Sequence, residues 1–162
     1  MPGALGLTAA NHGTAGLQLS SYAYHAGGIS QRFDVPGGGS CSGKIAFAAS
    51  YDVAVHGPNG FLMEAAGDKS TSGVDVAAAV SGPAAHPVFT VTVRNSGSSP
   101  ATLTVKGRPG FVVAAHGSHT LTLDALAGAH GWYDVQLSLV GHPEWRRRFA
   151  GHLENGKPSR TA

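Results

Sequence analysis

The sequence predicts an all-β protein built from two antiparallel β-sandwiches in tandem, the first of which lacks its first strand. Three observations support this prediction. Many short segments alternate apolar and polar side chains, as half-buried antiparallel strands do. The chain holds 24 glycines and only 12% charged residues, a composition that disfavours long helices. The two halves of the sequence also resemble each other.

The internal repeat is marked by short motifs that recur at a nearly constant offset. The matching motifs are Asn11-His12-Gly13 with Asn95-Ser96-Gly97, Ala66-Gly67 with Ala150-Gly151, and Tyr51-Asp52-Val53 with Tyr133-Asp134-Val135. The first two pairs stand 84 positions apart and the third stands 82 apart, which indicates a small length change in a loop between them. The 162 residues therefore accommodate two small domains of similar construction.

The second half of the chain holds seven candidate strands. They are "VDVAAAV" from residue 74, "FTVTV" from 89, "ATLTV" from 101, "FVVAA" from 111, "HTLTLDAL" from 119, "YDVQLSL" from 133 and "WRRRF" from 145. Turn-forming residues interrupt the chain roughly every 8 to 12 positions, which is typical of an immunoglobulin-like sandwich. The first half supplies counterparts for six strands, from "LGLTAA" to "GFLMEAA", but none for "VDVAAAV". We expect a truncated first sandwich at 1–68, a linker at 69–73, a complete second sandwich at 74–157 and a tail at 158–162.

Five residues are predicted to have structural roles. Tyr51 and Tyr133 each stand at the start of the sixth strand of their unit, where a sandwich often places a tyrosine whose hydroxyl bonds to nearby backbone. In "HGPNGF", Pro58 suits the second position of a β-turn, Asn59 the third and Gly60 the fourth. Turn geometry therefore accounts for this loop without a chemical role.

No catalytic, cofactor-binding or metal-binding residue is predicted. His56 lies beside the turn, but no nucleophile or carboxylate stands next to it in sequence. Of nine histidines, only His116 and His119 share a local spacing, and zinc would need a third ligand close by. The sequence lacks G-x-S-x-G, and the glycines of "GGGSCSG" at 37–43 favour a hairpin connection with Cys41 at the start of the next strand.

Charge and hydropathy exclude further classes of function. The net charge is +2 and the 11 Lys and Arg residues are spread along the chain apart from 146–148, so nucleic-acid binding has no support. The lone Cys41 excludes an internal disulfide. No apolar run approaches the roughly 20 residues that span a bilayer. The start, "MPGALGLTAANHG", lacks the features of a signal peptide, so we expect a non-exported protein or a piece of an exported one.

The segment "EWRRRF" carries the densest charge. In a strand, Trp145, Arg147 and Phe149 face one way, and Glu144, Arg146 and Arg148 face the other. Trp145, Arg146 and Arg148 are therefore candidate contacts for anionic lipid head groups or for an acidic partner. The alternative is a solvated strand edge that discourages aggregation. We favour the edge, because three arginines supply little attraction at physiological salt.

Three features together resemble a known family: "YDVAVHGPNGF", "GWYDVQLSLVGHPEWRRRFAGHLENG" and the N-x-G segments ahead of them. They are similar to the tandem C-terminal domain of bacterial phosphocholine-specific phospholipase C, a family with hemolytic and non-hemolytic members. The resemblance covers about residue 5 to 157. One departure is "LMEA" at 62–65, where the first repeat of the family tends to carry basic and aromatic residues, so no lipid or partner role is expected there.

The resemblance implies a function for the chain. In that family the C-terminal domains follow a large hydrolase domain that carries the metal and the nucleophile. The implied role is a non-catalytic accessory domain of a secreted or periplasmic enzyme that hydrolyses phosphatidylcholine and sphingomyelin to release phosphocholine. The implied partners are the catalytic domain of the same enzyme and a lipid surface. The incomplete first sandwich also predicts self-association through its unpaired edge.

An independent carbohydrate- or lipid-binding sandwich is the alternative. A row of exposed aromatic side chains would favour it. The candidates for such a row are Trp132, Trp145, Tyr22 and Tyr24.

Overall fold

The structure is a computed structural model and describes residues 3–158. Nearly every element is a β-strand. The first unit comprises β1 Gly3–Ala10, β2 Leu17–Ala23, β3 Gln31–Val35, β4 Ser40–Phe47, β5 Ser50–His56 and β6 Leu62–Asp68. The second comprises β7 Val74–Ser81, β8 Val88–Asn95, β9 Ala101–Val105, β10 Arg108–Val113, β11 Ser118–Leu123, β12 Trp132–Leu139 and β13 His142–His152. A 3₁₀ helix, Lys69–Thr71, joins the units, and the short helix α1, Ala125–Gly128, precedes β12.

The strands form three antiparallel sheets. The large sheet has eight strands in the order β10-β9-β12-β13-β6-β5-β2-β3, and the small sheets have the orders β1-β4 and β11-β8-β7. Each small sheet packs its apolar face on one half of the large sheet. The predicted all-β sandwich class is therefore confirmed. The hairpin expected at 37–43 is wrong, because β3 belongs to the large sheet and β4 to a small one, so this segment crosses between sheets.

Alternating side chains fill two hydrophobic cores between the layers. In the first unit Ile45 on β4 faces Val53 on β5, and both are fully buried. In the second unit Val91 on β8 packs with Leu103 on β9 and Leu137 on β12. Burying one such side chain contributes roughly 1.5–3 kcal/mol, which explains why the period-two pattern determines which face of each strand turns inward.

A buried asparagine joins the two layers at the same end of each unit. Asn95 Nδ2 donates to the carbonyls of Ser99 at 2.8 Å, Val113 at 3.3 Å and Ala114 at 3.2 Å. Its Oδ1 accepts from the Gly97 N–H at 3.0 Å. Because β8 ends at Asn95 and β10 at Val113, this side chain ties a small sheet to the large one.

The first unit repeats this arrangement around Asn11. Its Nδ2 donates to the Ala15 carbonyl at 2.8 Å and the Val35 carbonyl at 3.4 Å, and Oδ1 accepts from Gly13 at 2.9 Å. The N-x-G motif of the sequence is therefore the same cross-layer tie in both halves. It needs a side chain that donates and accepts at once, which an amide does.

The two units meet in the middle of the large sheet. Strands β6 and β13 pair antiparallel, with Glu64 directly opposite Arg148. These two positions stand 84 residues apart, so equivalent residues of the repeat face each other. A contact in which position i meets its own equivalent is the pattern of a local two-fold axis. One continuous sheet therefore runs through both units of the repeat. We call the line along which β6 pairs with β13 the seam.

Candidate interaction surface

Strand β13 is central rather than peripheral. It lies between β12 and β6 in the large sheet, so the solvated edge predicted for "EWRRRF" is wrong. When the neighbouring strands are unknown, a strand with several charged side chains suggests the edge of a sheet. Here the charges of its outer face are matched by acids on β12, β6 and β5, which allows the segment to lie inside the sheet.

Trp145 does not belong to the surface. It is 0% exposed, on the inner face of β13, so its predicted contact with lipid or a partner is wrong. Period-two alternation places it inward with Arg147 and Phe149, as the sequence indicates. The error arose because alternation shows which side chains share a face of the strand but not which face lies against the core, and the face of Trp145 lies against it.

Arg146 and Arg148 lie on the outer face, and carboxylates hold both of them. Arg148 donates from Nε and Nη2 to the two oxygens of Asp134, each at 2.8 Å. Its Nη1 lies 3.3 Å from Glu64 Oε2. Arg146 Nη2 lies 3.1 Å from Asp52 Oδ1. Three carboxylates thus accompany two guanidinium groups in what we call the seam cluster, and little net positive charge remains for an anionic head group.

The register of the sheet explains the Arg146 contact. Asp52 stands opposite Ala66, and Ala66 stands opposite Arg146, so the three residues lie in one row across β5, β6 and β13. The methyl group of Ala66 leaves room for the arginine to reach the aspartate two strands away. A larger side chain at this position would separate the two charges.

Electrostatics in the seam cluster follow from these bonds. Hydrogen bonding by Arg148 holds the pKa of Asp134 below its usual value, against the opposing effect of partial burial. The same contact, reinforced by Glu64, raises the pKa of Arg148. Both groups therefore remain charged through the neutral range, and the cluster provides fixed charge pairs rather than a proton donor or acceptor.

Arg147 is buried on the inner face beneath an open groove. Its Nη2 donates to the Tyr51 hydroxyl at 2.6 Å, and its Nη1 donates to the carbonyls of Ala66 and Arg146 at 2.8 Å each. The guanidinium carbon lies 4.7 Å from the Trp145 ring centroid, within cation–π range. Tyr51 therefore serves as a structural acceptor, with a side chain rather than the predicted backbone as its partner in this bond.

Tyr133 occupies the position equivalent to Tyr51 in the second unit. Its ring stacks on Phe89 with centroids 3.9 Å apart. Burial raises the pKa of its hydroxyl. In both units the tyrosine oxygen lies over a glycine of the neighbouring strand, Gly67 or Gly151, where a β-carbon would come within 2.8 or 2.6 Å of it. Both tyrosines therefore occupy equivalent packing positions, each on the strand next to β6 or β13.

The "HGPNGF" segment forms a turn shifted by one position from the prediction. Phe61 N–H donates to the Pro58 carbonyl at 3.0 Å, so Pro58 is the first residue rather than the second. Asn59 and Gly60 are the central residues, with φ of 54° and 71°. Two positive φ values define a type I′ turn, whose twist suits a hairpin and which Asn-Gly favours. Gly60 lies against Trp132 of the second unit.

Two concavities flank the seam. A groove of about 730 Å³ runs between β1 and the start of β7, and Phe47, Tyr51 and Arg147 are among its lining residues. A smaller cavity of about 250 Å³ lies between the Pro58–Phe61 turn and Tyr133. Over residues 3–158, no group of three or more His, Cys, Asp or Glu side chains could hold a metal ion. His119 stacks on Phe111, with ring centroids 4.1 Å apart.

The comparisons with known proteins accord with this geometry. A family model described as the C-terminal domain of bacterial phospholipase C matches residues 2–68 and 74–152. The chain belongs to this family. The resemblance drawn from the sequence motifs is thereby confirmed, and the gap between the two matched segments contains the 3₁₀ helix.

Two curated phospholipases C are similar to part of this chain. The hemolytic phospholipase C of Pseudomonas aeruginosa is 31% identical over 127 residues, which is 68% of this chain and 16% of that protein. The non-hemolytic phospholipase C of Burkholderia pseudomallei is 30% identical over 125 residues, or 67% of this chain and 17% of that protein. The match therefore spans about a sixth of the length of each relative.

Exposed aromatic side chains are few on this phospholipase C domain. Tyr22 and Tyr24 are 45% and 66% exposed. Trp132 is half-buried, and its ring contacts His152 with centroids 4.8 Å apart. Within the described part of the chain, no helix is long and apolar enough to cross a membrane.

Sequence reasoning missed several residues of this surface. It used the Asn11 and Asn95 motifs only as markers of the repeat, and it assigned nothing to Asp52, Glu64 or Asp134. One signal could have found the seam. Glu64 and Arg148 are equivalent positions of the repeat with opposite charges, and such a pair is favourable where a two-fold contact brings equivalent positions together.

Proposed function

We propose that this chain is a non-catalytic accessory domain that packs on the catalytic part of a phospholipase C and orients it. The parent enzyme, secreted or periplasmic, hydrolyses phosphatidylcholine and sphingomyelin and releases phosphocholine. The observation that carries the proposal is the match of both units to a phospholipase C C-terminal domain. The relatives that share this domain are about six times longer than the matched region, which leaves room for a separate catalytic part.

The construction of the seam supports a scaffolding role. One sheet runs through both units, and the seam cluster crosslinks its four central strands on the outer face. On the inner face, Arg147 of β13 donates hydrogen bonds to Ala66 on β6 and to Tyr51 on β5. Because the halves share backbone hydrogen bonds, the domain can hold a partner in a fixed orientation.

Two measurements test the accessory role. The purified chain should release no phosphocholine from phosphatidylcholine vesicles or from a soluble short-chain phosphatidylcholine. The phospholipase C that carries the domain should lose thermal stability when residues 3–152 are removed, because the surface that the domain covers becomes exposed. Turnover by the chain alone, or an unchanged melting temperature and activity after the deletion, would count against the proposal.

The alternative, an independent carbohydrate- or lipid-binding module, has weaker support. Trp145 is buried and Trp132 packs against His152, which leaves Tyr22 and Tyr24 as the exposed aromatic pair in the described residues. We expect the isolated chain to remain in the supernatant when phosphatidylcholine vesicles are sedimented. Co-sedimentation that is abolished by Tyr22→Ser with Tyr24→Ser would instead favour the binding module. Substitution of the two tyrosines tests binding more directly than substitution of Arg146 and Arg148, because replacing the arginines also breaks ion pairs.

A further inference from the structure

Strand β1 has an edge that no other described strand covers. It pairs with β4 alone, whereas β8, its equivalent in the second unit, pairs with β11 on one side and β7 on the other. The sequence of β1, "GALGLTAA", contains no charge and no proline. Proteins commonly protect an exposed edge with charges, prolines or bulges. Strand β1 is thus built like a strand that is covered on both sides.

The backbone groups available on this edge can be assigned. The N–H of Asn11 donates to the Gly39 carbonyl at 2.8 Å, which lies on the β4 side. In an antiparallel ladder alternate residues point their N–H and C=O groups to the same neighbour, so Leu5 and Leu7 also face β4. The backbone N–H and C=O groups that point to the open edge therefore belong to Ala4, Gly6 and Thr8.

The second unit shows what such an edge binds. The Ser96 N–H, at the position equivalent to His12, donates to the Gly73 carbonyl at 2.8 Å, on the β7 side. Strand β7 then continues antiparallel along β8, with Ala77 opposite Thr92. Thr92 is the equivalent of Thr8 at the 84-residue offset. The covering element is a single extended segment of small apolar side chains alternating with polar or exposed ones.

The space beside β1 also has the form of a slot for one strand. The groove of about 730 Å³ is bounded by β1 on one side and by the Ser72–Asp75 region on the other. Phe47, Tyr51 and Arg147 also line it. Because β1 and the Ser72–Asp75 region bound the slot on its two sides, it suits a single extended segment. A second folded copy fits this slot less well, because its β1 is already paired with β4 and packed on a large sheet.

We propose that an extended segment with small side chains, from the remainder of the phospholipase C polypeptide, docks in this slot and pairs antiparallel with β1. The inference rests on the proposed function, since it names the surface through which the domain holds its enzyme. Main-chain hydrogen bonds to Ala4, Gly6 and Thr8 supply the affinity, as in other cases of β-strand addition. The absence of side chains beyond methyl size at Ala4 and Gly6 allows close approach.

The test uses the chain's own covering strand as the probe, in the form of the synthetic peptide GVDVAAAVSG, residues 73–82. Amide hydrogen exchange is followed by NMR on the labelled chain. At a peptide concentration about ten times its Kd, exchange at Gly6 and Thr8 should slow about tenfold. Leu5 and Leu7, already bonded to β4, should change little.

Two variants control the experiment. Thr8→Pro removes one edge N–H and is compatible with an edge strand, because the lost donor is not used in the β1–β4 ladder. It should weaken peptide binding at least tenfold. Thr8→Ala keeps the N–H and should bind as the parent chain does. Unchanged strand signals in both variants establish that the fold is retained.

Three results would overturn the proposal. The first is unchanged exchange at Gly6 and Thr8 with millimolar peptide. The second is peptide-induced change confined to β7 and β8, which would mean strand exchange in the second unit. The third is concentration-dependent dimerisation by light scattering that Thr8→Pro abolishes, which would make a second copy the occupant, as the sequence predicts. None of these results bears on phosphocholine release or on the effect of deleting the domain, so the proposed function is tested separately.

Discussion

Replacement of Asn95 by alanine tests the cross-layer tie directly. Asn95 is 3% exposed, and its amide supplies bonds to three carbonyls and accepts one N–H. The bonds to Ser99 and Gly97 are short and partly buried, and each contributes about 1 kcal/mol. The buried Val113 carbonyl also loses this donor, which costs about 1 kcal/mol more. We therefore expect Asn95→Ala to lower the free energy of unfolding by about 3 kcal/mol.

The repeat supplies an internal comparison. Asn11 is 8% exposed, and its bond to the buried Val35 carbonyl is longer, at 3.4 Å. Asn11→Ala should therefore cost less, about 2 kcal/mol. Asn95→Asp distinguishes the donor from the acceptor, because a carboxylate can still accept from Gly97 but cannot donate to carbonyls. It should cost at least as much as the alanine at neutral pH.

The measurement is urea denaturation followed by circular dichroism and by tryptophan fluorescence. The two probes test whether unfolding is two-state, which a comparison of free energies requires. Asn155→Ala is the control, since its side chain makes an exposed bond to the Lys157 N–H and its loss should change stability by less than about 0.5 kcal/mol. A loss below about 0.5 kcal/mol for Asn95→Ala would refute the tie and leave the N-x-G motif without a structural explanation.

Three further outcomes follow from the seam. Arg148→Met should weaken the dependence of the free energy of unfolding on pH in the acid range. The pKa of Asp134 is lowered in the folded state, so its stabilising contribution is present above about pH 4 and is lost as the pH falls below that value. Because that pair is partly exposed, the change measured by acid titration of stability should stay below about 1 kcal/mol. Gly67→Ala, at φ 151° and with a β-carbon only 2.8 Å from the Tyr51 oxygen, should lower stability by about 1–3 kcal/mol in thermal denaturation; an unchanged Tm would contradict the packing argument. Trp145→Ala should cost about 3–5 kcal/mol or prevent folding, while a surface role would leave stability unchanged.

The strands could be predicted because burial imposes a local period. Phe89, Val91 and Val93 alternate with polar residues, and all three are buried on one face of β8. Tyr51, Val53 and Val55 on β5 are likewise buried, although Ala54 between them is buried as well. This signal needs no knowledge of neighbouring strands, since each side chain carries its own preference for the core.

Sheet order could not be predicted in the same way. Whether β13 is an edge or a central strand depends on which strand lies beside it, and that choice is made by long-range contacts. Arg146 and Arg148 indicate an exposed strand when considered alone. Their acidic partners, Asp52 and Glu64, are more than 80 positions away in sequence. The error over Trp145 has the same origin: alternation correctly groups Trp145 with Arg147 and Phe149 on one face, but which sheet packs on that face depends on long-range contacts.

The turn at Pro58 failed for a different reason. Proline favours the second position of type I and type II turns, and the prediction relied on that preference. The Asn-Gly pair instead favours a type I′ turn, and Asn59 and Gly60 adopt its two positive φ values. The preference of the Asn59-Gly60 pair for positive φ therefore prevailed over the preference of Pro58 for the second turn position.

The seam shows why a tandem chain differs from a dimer of identical units. On the two-fold axis of a homodimer each residue faces its own copy, so a charged side chain there would oppose a like charge. Covalent linkage of two units removes that restriction, because the two equivalent positions are separate residues. Here they are Glu64 and Arg148, whose charged groups lie 3.3 Å apart. The seam is thus specific for the partner unit in the same chain, and pairing of β6 with the β6 of a second molecule would place two glutamates together. The open edge of β1 carries no charge, so it lacks a discrimination of this kind.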